Sequence, residues 1–343
     1  MKAAIINHYS DKVDNFEIVP NLAKPLIKKN ELLIHNKSAS VNPIDTLKRK
    51  GYGRIIFARK RHPEFPYILG CDAAGIITKI GDNISNFKVG DEVYYVADAF
   101  KHGTYAEYTA VEISHVYRKP CNLNFVEAAS IPYVAATVWS ALVGKAKMNP
   151  LQSQGKKVLV HAGSGGIGSF AIQLLKTWGC FVATTCSTQN IEFCKNLGAN
   201  IVIDYTAENF SEKLVDFDIV LDTLGFRVPG TEEKSIQVLK QNKSSCYVTI
   251  VHPIMQNFDQ HGLFLGLLLS IYQGYIKSFT YRPVRYEWAL YKPSQAAFEH
   301  ITPLIEDSKI KPVIDKILKL EEVKLAHQII ESHHTRGKVV LTI

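Results

Sequence analysis

Three glycines at the spacing G-x-G-x-x-G, namely Gly163, Gly165 and Gly168, form the pattern in this chain that most directly indicates chemistry. The first glycine permits a tight turn, the second lets the backbone approach a pyrophosphate, and the third lets a helix pack closely on a strand. The amides at the start of that helix, with the positive end of its dipole, then face the anion. The pattern therefore predicts a dinucleotide site, provided that a strand precedes it and a helix follows it.

The sequence around the glycines predicts both of these elements. An apolar run at 158–162 comes before them, and apolar residues at helical spacing continue after them as far as Trp178. Two further apolar runs, at 181–186 and 201–205, enclose a second helical segment. The stretch 157–205 therefore predicts a βαβαβ unit.

The end of the second predicted strand favours NADP(H) over NAD(H). A carboxylate about 20 residues beyond the glycine turn usually binds the adenine ribose of NAD. Here the chain reads Thr185-Cys186-Ser187-Thr188-Gln189-Asn190, which contains no acid. The missing carboxylate leaves room for a 2′-phosphate, and Ser187 offers a hydroxyl donor, although no Arg or Lys lies in this segment.

The remaining sequence indicates two domains in an α/β protein. A chain of 343 residues with 46% hydrophobic content is long enough for two cores. Short strand-like segments separated by turn residues predict a barrel-type β domain from residues 1–125, to which we expect 293–343 to return. Alternating helices and strands in 126–292 predict a doubly wound parallel sheet, with its ligand at the carboxyl ends of the strands.

The net charge of +8 does not by itself indicate a nucleic-acid partner, because most basic residues are spread along the chain. One local cluster consists of Lys48, Arg49, Lys50, Arg54, Arg59, Lys60 and Arg61. We interpret it as a solvated basic loop, or alternatively as a site that attracts NADP phosphates or acidic partners.

Cysteine usage and the first residues favour a cytoplasmic location. The six cysteines contain no C-x-x-C pair, so they are expected to be reduced thiols. The first residues already form a predicted strand and lack a targeting pattern. The apolar run within 261–279 is too short to span a bilayer, which predicts a core helix or a subunit-contact helix.

Motifs along essentially the whole chain resemble the zinc-independent quinone oxidoreductase branch of the medium-chain dehydrogenase/reductase superfamily. They comprise Ser40-Val41-Asn42-Pro43-Ile44-Asp45, Leu69-Gly70-Cys71-Asp72, Phe87-Lys88-Val89-Gly90-Asp91, Gly103-Thr104-Tyr105-Ala106-Glu107, the glycine turn and Arg336-Gly337-Lys338. The segments 49–53, 247–251 and 285–289 are similar to the reticulon-interacting NADPH oxidoreductase group. The resemblance implies a GroES-like barrel domain, a Rossmann domain, an active site in the cleft between them, and a homodimer.

The same resemblance implies which residues contact NADP(H) and whether zinc is present. The implied cofactor contacts are Ser164, Gly165, Gly166, Ile167, Gly168, Ser187, Tyr205, Ile250, Ala289, Tyr291, His334, Thr335 and Arg336. Metal-dependent relatives have Cys, His and Cys where this chain has Asn42, Cys71 and Tyr133. One ligand of three does not hold a catalytic zinc, so zinc-independent hydride transfer is expected.

The expected reaction delivers a hydride from NADPH to a quinone or an enone. A quinone stabilises the incoming charge itself, so the protein chiefly positions the rings and supplies a proton. Tyr52, Asn42 and Asp45 are the candidate catalytic residues. Alternatively, Tyr52 is a packing residue, while Asn42 and Asp45 fix the turn at Pro43 through bonds to the backbone.

Three other functions remain open from the sequence. The first is an enoyl-thioester or enone reductase. The second is a non-enzymatic NADPH-binding regulator that uses the basic loop. The third is a hydrolase, since Ser164 lies at a spacing similar to a nucleophile elbow, with Asp222 and His252 or His261 downstream.

Overall fold

The chain folds into two units, each assembled from segments that are separate in the sequence. The computed structural model describes residues 1–59 and 65–343. Unit 1 comprises Met1–Val134, Pro293–Ser308 and Pro312–Ile343, and unit 2 comprises Ala135–Lys292 and Lys309–Lys311. The first division lies between residues 134 and 135, whereas the sequence pattern placed it between 125 and 126.

Short segments form the strands of unit 1; β7 alternates between buried and partly exposed residues, whereas β1 is buried throughout. The strands before the division are β1 Ala3–Ile6, β2 Phe16–Val19, β3 Glu31–Val41, β4 Tyr67–Ile68, β5 Asp72–Ile80, β6 Glu92–Val96, β7 Tyr108–Glu112 and β8 Val116–Arg118. The helices are α1 Pro43–Arg49, α2 Arg54–Arg59, α3 Phe125–Ala129 and α4 Pro132–Trp139, the last of which crosses the division.

Unit 2 is a six-stranded parallel sheet with helices between its strands. Its strands are β9 Lys157–Val160, β10 Phe181–Cys186, β11 Ile201–Asp204, β12 Ile219–Asp222, β13 Cys246–Thr249 and β14 Arg285–Trp288. Its helices are α5 Gly166–Thr177, α6 Ile191–Asn196, α7 Phe210–Lys213, α8 Thr231–Gln237 and α9 Ile254–Thr280. The strand order β11-β10-β9-β12-β13-β14 is that of a Rossmann sheet, as predicted.

The C-terminal tail returns to unit 1. It contains α10 Gln295–Glu306, β15 Ile314–Lys319, α11 Val323–Glu331 and β16 Lys338–Thr342. Strand β16 pairs antiparallel with β3, so the larger sheet runs β15-β16-β3-β5-β6-β8, with β7 also paired to β3. The predicted β-rich, barrel-type character of this unit is confirmed.

Two helical regions coincide with apolar stretches of the sequence. In the first, α3 ends at Ala129, and α4 is followed by a π-helix at Ser140–Lys145. Composition alone would let Phe125–Lys145 cross a membrane, yet 72% of its apolar window is buried inside the protein. The helix expected at 261–279 lies within α9 and is not a core helix, since most of its large apolar side chains are exposed.

His327 on α11 is a fully buried histidine in the core of unit 1. Its ring packs edge-on against Phe16 and Tyr105, with centroids 4.7 and 5.9 Å away. Neither ring nitrogen has a hydrogen-bond partner in the part of the chain that the structure describes. Burial, together with the cations of Arg49 and Lys50, lowers the pKa of His327 from 6.5 to about 3.

We expect His327 to make unit 1 less stable in acid. Below pH 6.5 the unfolded chain binds a proton at this residue while the folded chain does not until about pH 3, so stability falls as the pH falls. Between pH 6.5 and 5 this loss is about 2 kcal/mol. Urea unfolding should show that His327→Leu removes this part of the acid sensitivity, whereas His8→Leu, at an exposed histidine, does not. Equal pH dependence in His327→Leu and wild type would contradict the assignment.

Candidate functional site

The glycine turn of unit 2 joins strand β9 to helix α5, as the spacing predicts. A Cβ atom on Gly163 would lie 2.1 Å from Thr184 Oγ1, and one on Gly168 would lie 2.2 Å from the carbonyl oxygen of Ala162. Both glycines are therefore required by the packing of the turn itself. This explains two of the three glycines without any ligand.

Gly165 is different, because the protein leaves space beside it. A Cβ atom there would meet only the carbonyl oxygen of Ala162, at an ordinary 3.5 Å. Its backbone, with φ −74° and ψ 174°, is extended and open to any residue. Gly165 is the N-cap of the twelve-residue helix α5, whose first amides and dipole favour an anion. The turn thus fits a pyrophosphate that needs close access to the backbone.

The end of β10 carries no carboxylate, and its neighbours supply hydroxyl groups. Ser187 is half-buried, and its Oγ accepts a hydrogen bond from Asn190 Nδ2 at 3.1 Å. Asp204 ends the adjacent strand β11, but its oxygens already accept bonds from Thr188 and Thr206. These hydrogen bonds lower the pKa of Asp204 and hold its carboxylate at the end of β11.

Tyr205 follows Asp204 and presents an exposed ring beside the same strand end. Its N–H donates to the carbonyl oxygen of Cys186 at 3.1 Å, and 59% of the residue is exposed. An aromatic ring in this position offers a flat surface to an adenine. Tyr205 and Ser187 therefore follow neighbouring strand ends, β11 and β10.

Ile250 and Ala289 directly follow β13 and β14, at the carboxyl edge of the sheet. The N–H of Ile250 donates to the carbonyl oxygen of Asp222 at 3.1 Å, and the N–H of Ala289 donates to that of Thr249 at 2.9 Å. Tyr291 lies beyond β14 in the same unit. His334, Thr335 and Arg336 belong to unit 1, in the loop between α11 and β16.

The residues nominated for a hydrolase do not form a triad. Asp222 is fully buried and accepts hydrogen bonds from the N–H groups of Leu224 and Gly225, both at 2.9 Å, and from the Tyr247 hydroxyl. Its carboxylate therefore caps the turn after β12. Among the described residues, the side-chain hydrogen bonds of Asp222 come from Leu224, Gly225 and Tyr247, and none of them joins it to Ser164, His252 or His261.

The two histidines near this edge are buried and neutral. His161 contacts Ser235 Oγ at 2.9 Å and Thr185 Oγ1 at 3.2 Å, as a core residue beneath the turn. His252 stacks on Trp288 with ring centroids 5.9 Å apart, and burial lowers its pKa to about 4. Neither is suited to act as a base at the glycine turn.

In unit 1, Asn42 and Asp45 are bonded to each other at the start of α1. The N–H of Asn42 donates to Asp45 Oδ2 at 2.9 Å, and Pro43 occupies the first position of the helix. Asn42 is 1% exposed and Asp45 is fully buried. Asp45 also accepts from the Tyr105 hydroxyl at 3.1 Å and from the Cys71 thiol at 3.0 Å. These contacts fit the alternative in which both residues fix the Pro43 turn.

A buried chain of polar groups that the sequence reasoning missed extends from Asn42. Lys338 Nζ donates to Asn42 Oδ1, and Asn42 Nδ2 donates to Asp72 Oδ1 at 2.8 Å. The other oxygen of Asp72 accepts the N–H of Tyr133 at 2.9 Å. Burial raises the pKa of Asp72 while Lys338 and the hydrogen bonds oppose the rise. In the sequence, Lys338 could have indicated a buried polar partner, because it is a cation at the start of a mostly apolar strand.

Cys71 and Lys48 form a second pair that was missed. Lys48 Nζ lies 3.8 Å from Cys71 Sγ, on the inner side of α1. Burial and the Asp45 carboxylate raise the pKa of Cys71 well above its ordinary value, so it is a thiol that donates to Asp45. Burial opposes the charge of Lys48, but the nearby Asp45 carboxylate favours it, and the pKa of Lys48 is raised above its ordinary value, so Lys48 remains a cation.

Tyr52 projects from the turn between α1 and α2. Gly51 and Gly53 on either side of it have φ values of 91° and 81°, which favour glycine. The N–H of Tyr52 donates to the carbonyl oxygen of Leu47 at 3.0 Å, and its side chain is half-exposed. The turn therefore holds the backbone of Tyr52 in a defined place.

Zinc is not accommodated at the positions that metal-dependent relatives use. Asn42 is engaged with Lys338 and Asp72, and the Cys71 thiol with Asp45. Within residues 1–59 and 65–343, no group of three His, Cys, Asp or Glu side chains is arranged to hold a metal ion. The donors present do not fit a catalytic zinc.

The basic cluster is only partly a charged surface. Arg49 is fully buried, and its guanidinium contacts Glu331 at 2.5 Å. Lys50 shares the same carboxylate at 2.9 Å, whereas Arg54 is exposed. Lys60 and Arg61 lie outside the described residues. The pairing of Arg49 and Lys50 with Glu331 reduces the charge that this loop offers to a polyanion.

Two domain families match the chain. Residues 28–121 match the alcohol dehydrogenase GroES-like domain, and residues 197–341 match the family described as zinc-binding dehydrogenase. The Coxiella burnetii quinone oxidoreductase has a similar structure, with a TM-score of 0.83, 30% identity, and coverage of 100% of this chain and 99% of that one.

Relatives of known name cover the whole chain. The mitochondrial NAD(P)H oxidoreductases RTN4IP1 of zebrafish and human are 37% and 36% identical, covering 100% of this chain and 91% and 89% of their own lengths. The tomato 2-methylene-furan-3-one reductase is 34% identical over 99% of this chain and 79% of its own length. The similarity to NAD(P)H oxidoreductases agrees with the cofactor class predicted from the glycine turn.

The predicted cytoplasmic location is wrong, because the zebrafish and human relatives are mitochondrial proteins. The prediction relied on cysteine usage and on the first residues, and of these Ala3–Ile6 forms the fully packed strand β1 in unit 1. These residues are apolar because they pack in that core, so their apolar character carries no information about the cellular compartment. In its domains, fold and relatives, the chain belongs to the medium-chain dehydrogenase/reductase superfamily, in the family of NAD(P)H oxidoreductases that includes RTN4IP1.

Proposed function

We propose that this protein reduces quinones with NADPH and does so without a catalytic zinc. The observation that carries the proposal is the open space beside Gly165, at the N-terminus of α5, where a pyrophosphate would fit. The absence of a carboxylate at the end of β10 favours NADPH over NADH. Membership of the NAD(P)H oxidoreductase family supports an oxidation–reduction reaction. The similarity to the Coxiella burnetii quinone oxidoreductase supports a quinone as acceptor.

The residues around the glycine turn would hold the cofactor. Backbone groups of Ser164–Gly168 would bind the pyrophosphate, while Ser187 and Tyr205 would contact the adenosine end and its 2′-phosphate. Ile250, Ala289 and Tyr291 would bound the nicotinamide end, and the tail residues His334, Thr335 and Arg336 would add a cation for the phosphates. When bound, NADPH supplies the hydride.

Unit 1 would supply the proton. Reduction of a quinone to a hydroquinone consumes one hydride and one proton, and a phenol hydroxyl can donate that proton. Among the three predicted residues, we assign this role to Tyr52, because it carries a phenol hydroxyl and because Asn42 and Asp45 are buried. Asn42 and Asp45 would act as positioning residues, because their bonds to each other, Lys338 and Cys71 fix the start of α1.

An enone acceptor is the second candidate, and the similarity to the tomato 2-methylene-furan-3-one reductase favours it. The two reactions need the same cofactor and the same proton donor, but they differ in where the negative charge develops. A quinone spreads the charge over its ring, whereas an enone localises it on one enolate oxygen that needs a hydrogen-bond donor. Residues of unit 1 would have to supply that donor.

Oxidation of NADPH with a panel of acceptors distinguishes the candidates. The proposal predicts rapid turnover of phenanthrenequinone and benzoquinone and slower turnover of simple enones, with no loss after treatment with a zinc chelator. Faster turnover of enones would favour the second candidate. Tight NADPH binding with no turnover of either class would favour a regulatory NADPH-binding protein.

Ser187→Asp tests the cofactor preference. A carboxylate at the end of β10 would repel the 2′-phosphate and accept hydrogen bonds from an unphosphorylated ribose, so we expect NADPH to bind about 10-fold or more weakly. NADH should bind as well as before or better. Ser187→Ala is the control and should lose only the few-fold affinity of one hydrogen bond. Unchanged NADPH affinity in Ser187→Asp would show that Ser187 does not lie near the 2′-phosphate.

A further inference from the structure

Lys48 of helix α1 is a cation to which the proposed reaction has so far given no role. Its Nζ lies 3.8 Å from Cys71 Sγ and 5.6 Å from the ring centroid of Phe57. The Cys71 thiol donates its own proton to Asp45 at 3.0 Å, so it offers the ammonium group only a weak sulfur acceptor. An ammonium group carries three N–H donors. In the part of the chain that the structure describes, most of this hydrogen-bonding capacity of Lys48 is therefore unused.

The two basic residues that follow Lys48 are paired, whereas Lys48 is not. Arg49 and Lys50 both contact Glu331, at 2.5 and 2.9 Å. Within residues 1–59 and 65–343, no carboxylate forms an ion pair with Lys48. Burial opposes the charge of Lys48, but the Asp45 carboxylate favours it from a distance and the pKa of Lys48 is raised. The charge of Lys48 is therefore available to an anionic ligand.

The surroundings of Lys48 are aromatic. Phe57 is buried and packs edge-on against Phe100, with ring centroids 5.4 Å apart. Tyr67, which lies close enough to act on the charge of Lys48, is also buried. Lys48 itself is half-buried, so a ligand can reach part of its side chain. A cation beside aromatic rings suits a flat aromatic ligand that carries a negative oxygen.

The backbone connects Lys48 to the turn that carries Tyr52. The N–H of Gly51 donates to the carbonyl oxygen of Lys48 at 3.0 Å, and the N–H of Tyr52 donates to that of Leu47, also at 3.0 Å. The proposed proton donor and the unpaired cation of the described chain therefore belong to the same turn at the end of α1. Reduction of a quinone places negative charge on its oxygens, and a cation held in place beforehand stabilises such a charge as it develops.

We propose that Lys48 is a catalytic residue that binds the oxygen of the quinone acceptor, an inference that rests on the proposed function. A quinone that gains a hydride from NADPH becomes a hydroquinone anion, and NADP⁺ is left. The ammonium group of Lys48 stabilises this anion and keeps its own protons. Tyr52 donates the proton that completes the hydroquinone, and solvent returns a proton to Tyr52. One hydride and one proton are thus consumed for each quinone.

Binding of a phenolate tests Lys48 without any turnover, because a phenolate has the ring and the charged oxygen of the reduced product. Dinitrophenolate is an anion at neutral pH, and dinitroanisole is its neutral methyl ether. Calorimetry on the full-length protein, with and without NADP⁺, should show that the phenolate binds about 10-fold more tightly than the ether. Lys48→Met keeps the length of the side chain but removes its charge, so it should bind both ligands equally.

Two further variants separate the charge of Lys48 from its packing. Lys48→Arg keeps the charge and should retain the preference for the phenolate. Lys50→Met removes a charge from the same end of α1, but Lys50 is paired with Glu331, so this control should also retain the preference. A wild type without any preference, or a preference that persists in Lys48→Met, would overturn the proposal.

Turnover then connects Lys48 to the reaction. Lys48→Met should lower kcat/KM for benzoquinone about 100-fold, the loss expected when one group that stabilises a developing oxyanion is removed, while NADPH binds as in wild type. Reduction of benzoquinone at the wild-type rate by Lys48→Met would overturn the proposal and leave the proposed function intact. A wild type that prefers the phenolate but reduces no quinone would support the oxyanion site at Lys48 and contradict the proposed function.

Discussion

Gly165→Val is expected to weaken NADPH binding by about 100-fold or more while leaving the stability of unit 2 nearly unchanged. The extended backbone of Gly165 accepts valine, and its Cβ would meet only one atom at an ordinary distance. The side chain would instead fill the space that a pyrophosphate needs. Titration of NADPH fluorescence and thermal unfolding of the same samples measure both effects.

Gly168→Ala provides the matched contrast in the same turn. Its Cβ would lie 2.2 Å from the carbonyl oxygen of Ala162 and 2.7 Å from Gly163 Cα, so the backbone must move. We expect it to cost about 3 kcal/mol of stability. If Gly165→Val binds NADPH like wild type, or loses as much stability as Gly168→Ala, the assignment of Gly165 to the ligand is wrong.

Tyr52→Phe is expected to lower kcat for quinone reduction by about 100-fold, because it removes the proposed proton donor and keeps the ring. The affinity for NADPH should not change, since the cofactor residues of unit 2 are untouched. Single-turnover oxidation of bound NADPH separates this effect from product release. A change in the pH profile of kcat should accompany the loss, which a purely structural role would not produce.

A neighbouring tyrosine supplies the control for Tyr52. Tyr9 lies against Gly51, where a Cβ atom would approach its ring at 3.3 Å, so it supports the same turn. Tyr9→Phe keeps this packing and should retain nearly full activity. Equal activity of Tyr52→Phe and wild type would show that Tyr52 is a packing residue and not the proton donor.

The Rossmann unit could be predicted in detail because its signals are local. The glycine turn, the apolar strands and the helical spacing of α5 are each contained within a short stretch of sequence. The strand order then follows from the rules for parallel sheets.

The polar contacts of unit 1 could not be predicted, since they join distant parts of the chain. Asn42 looked available for catalysis, yet Lys338, almost 300 residues away in sequence, uses its side-chain oxygen. The sequence also did not show that the apolar side of α9 faces outward. Its spacing indicates an amphipathic helix, but only the contacts of Asn257, Gly266 and Ser270 show which side faces the protein.

Rapid mixing of the wild-type NADPH complex with benzoquinone tests the central claim most directly. The account predicts tight binding of NADPH, weaker binding of NADH, and a loss of NADPH fluorescence that saturates with quinone and yields one hydroquinone for each NADPH. Gly165→Val, as the control, should show only the uncatalysed rate. Tight binding without accelerated oxidation would contradict the reductase function, and the absence of NADPH binding would contradict the assignment of the glycine turn.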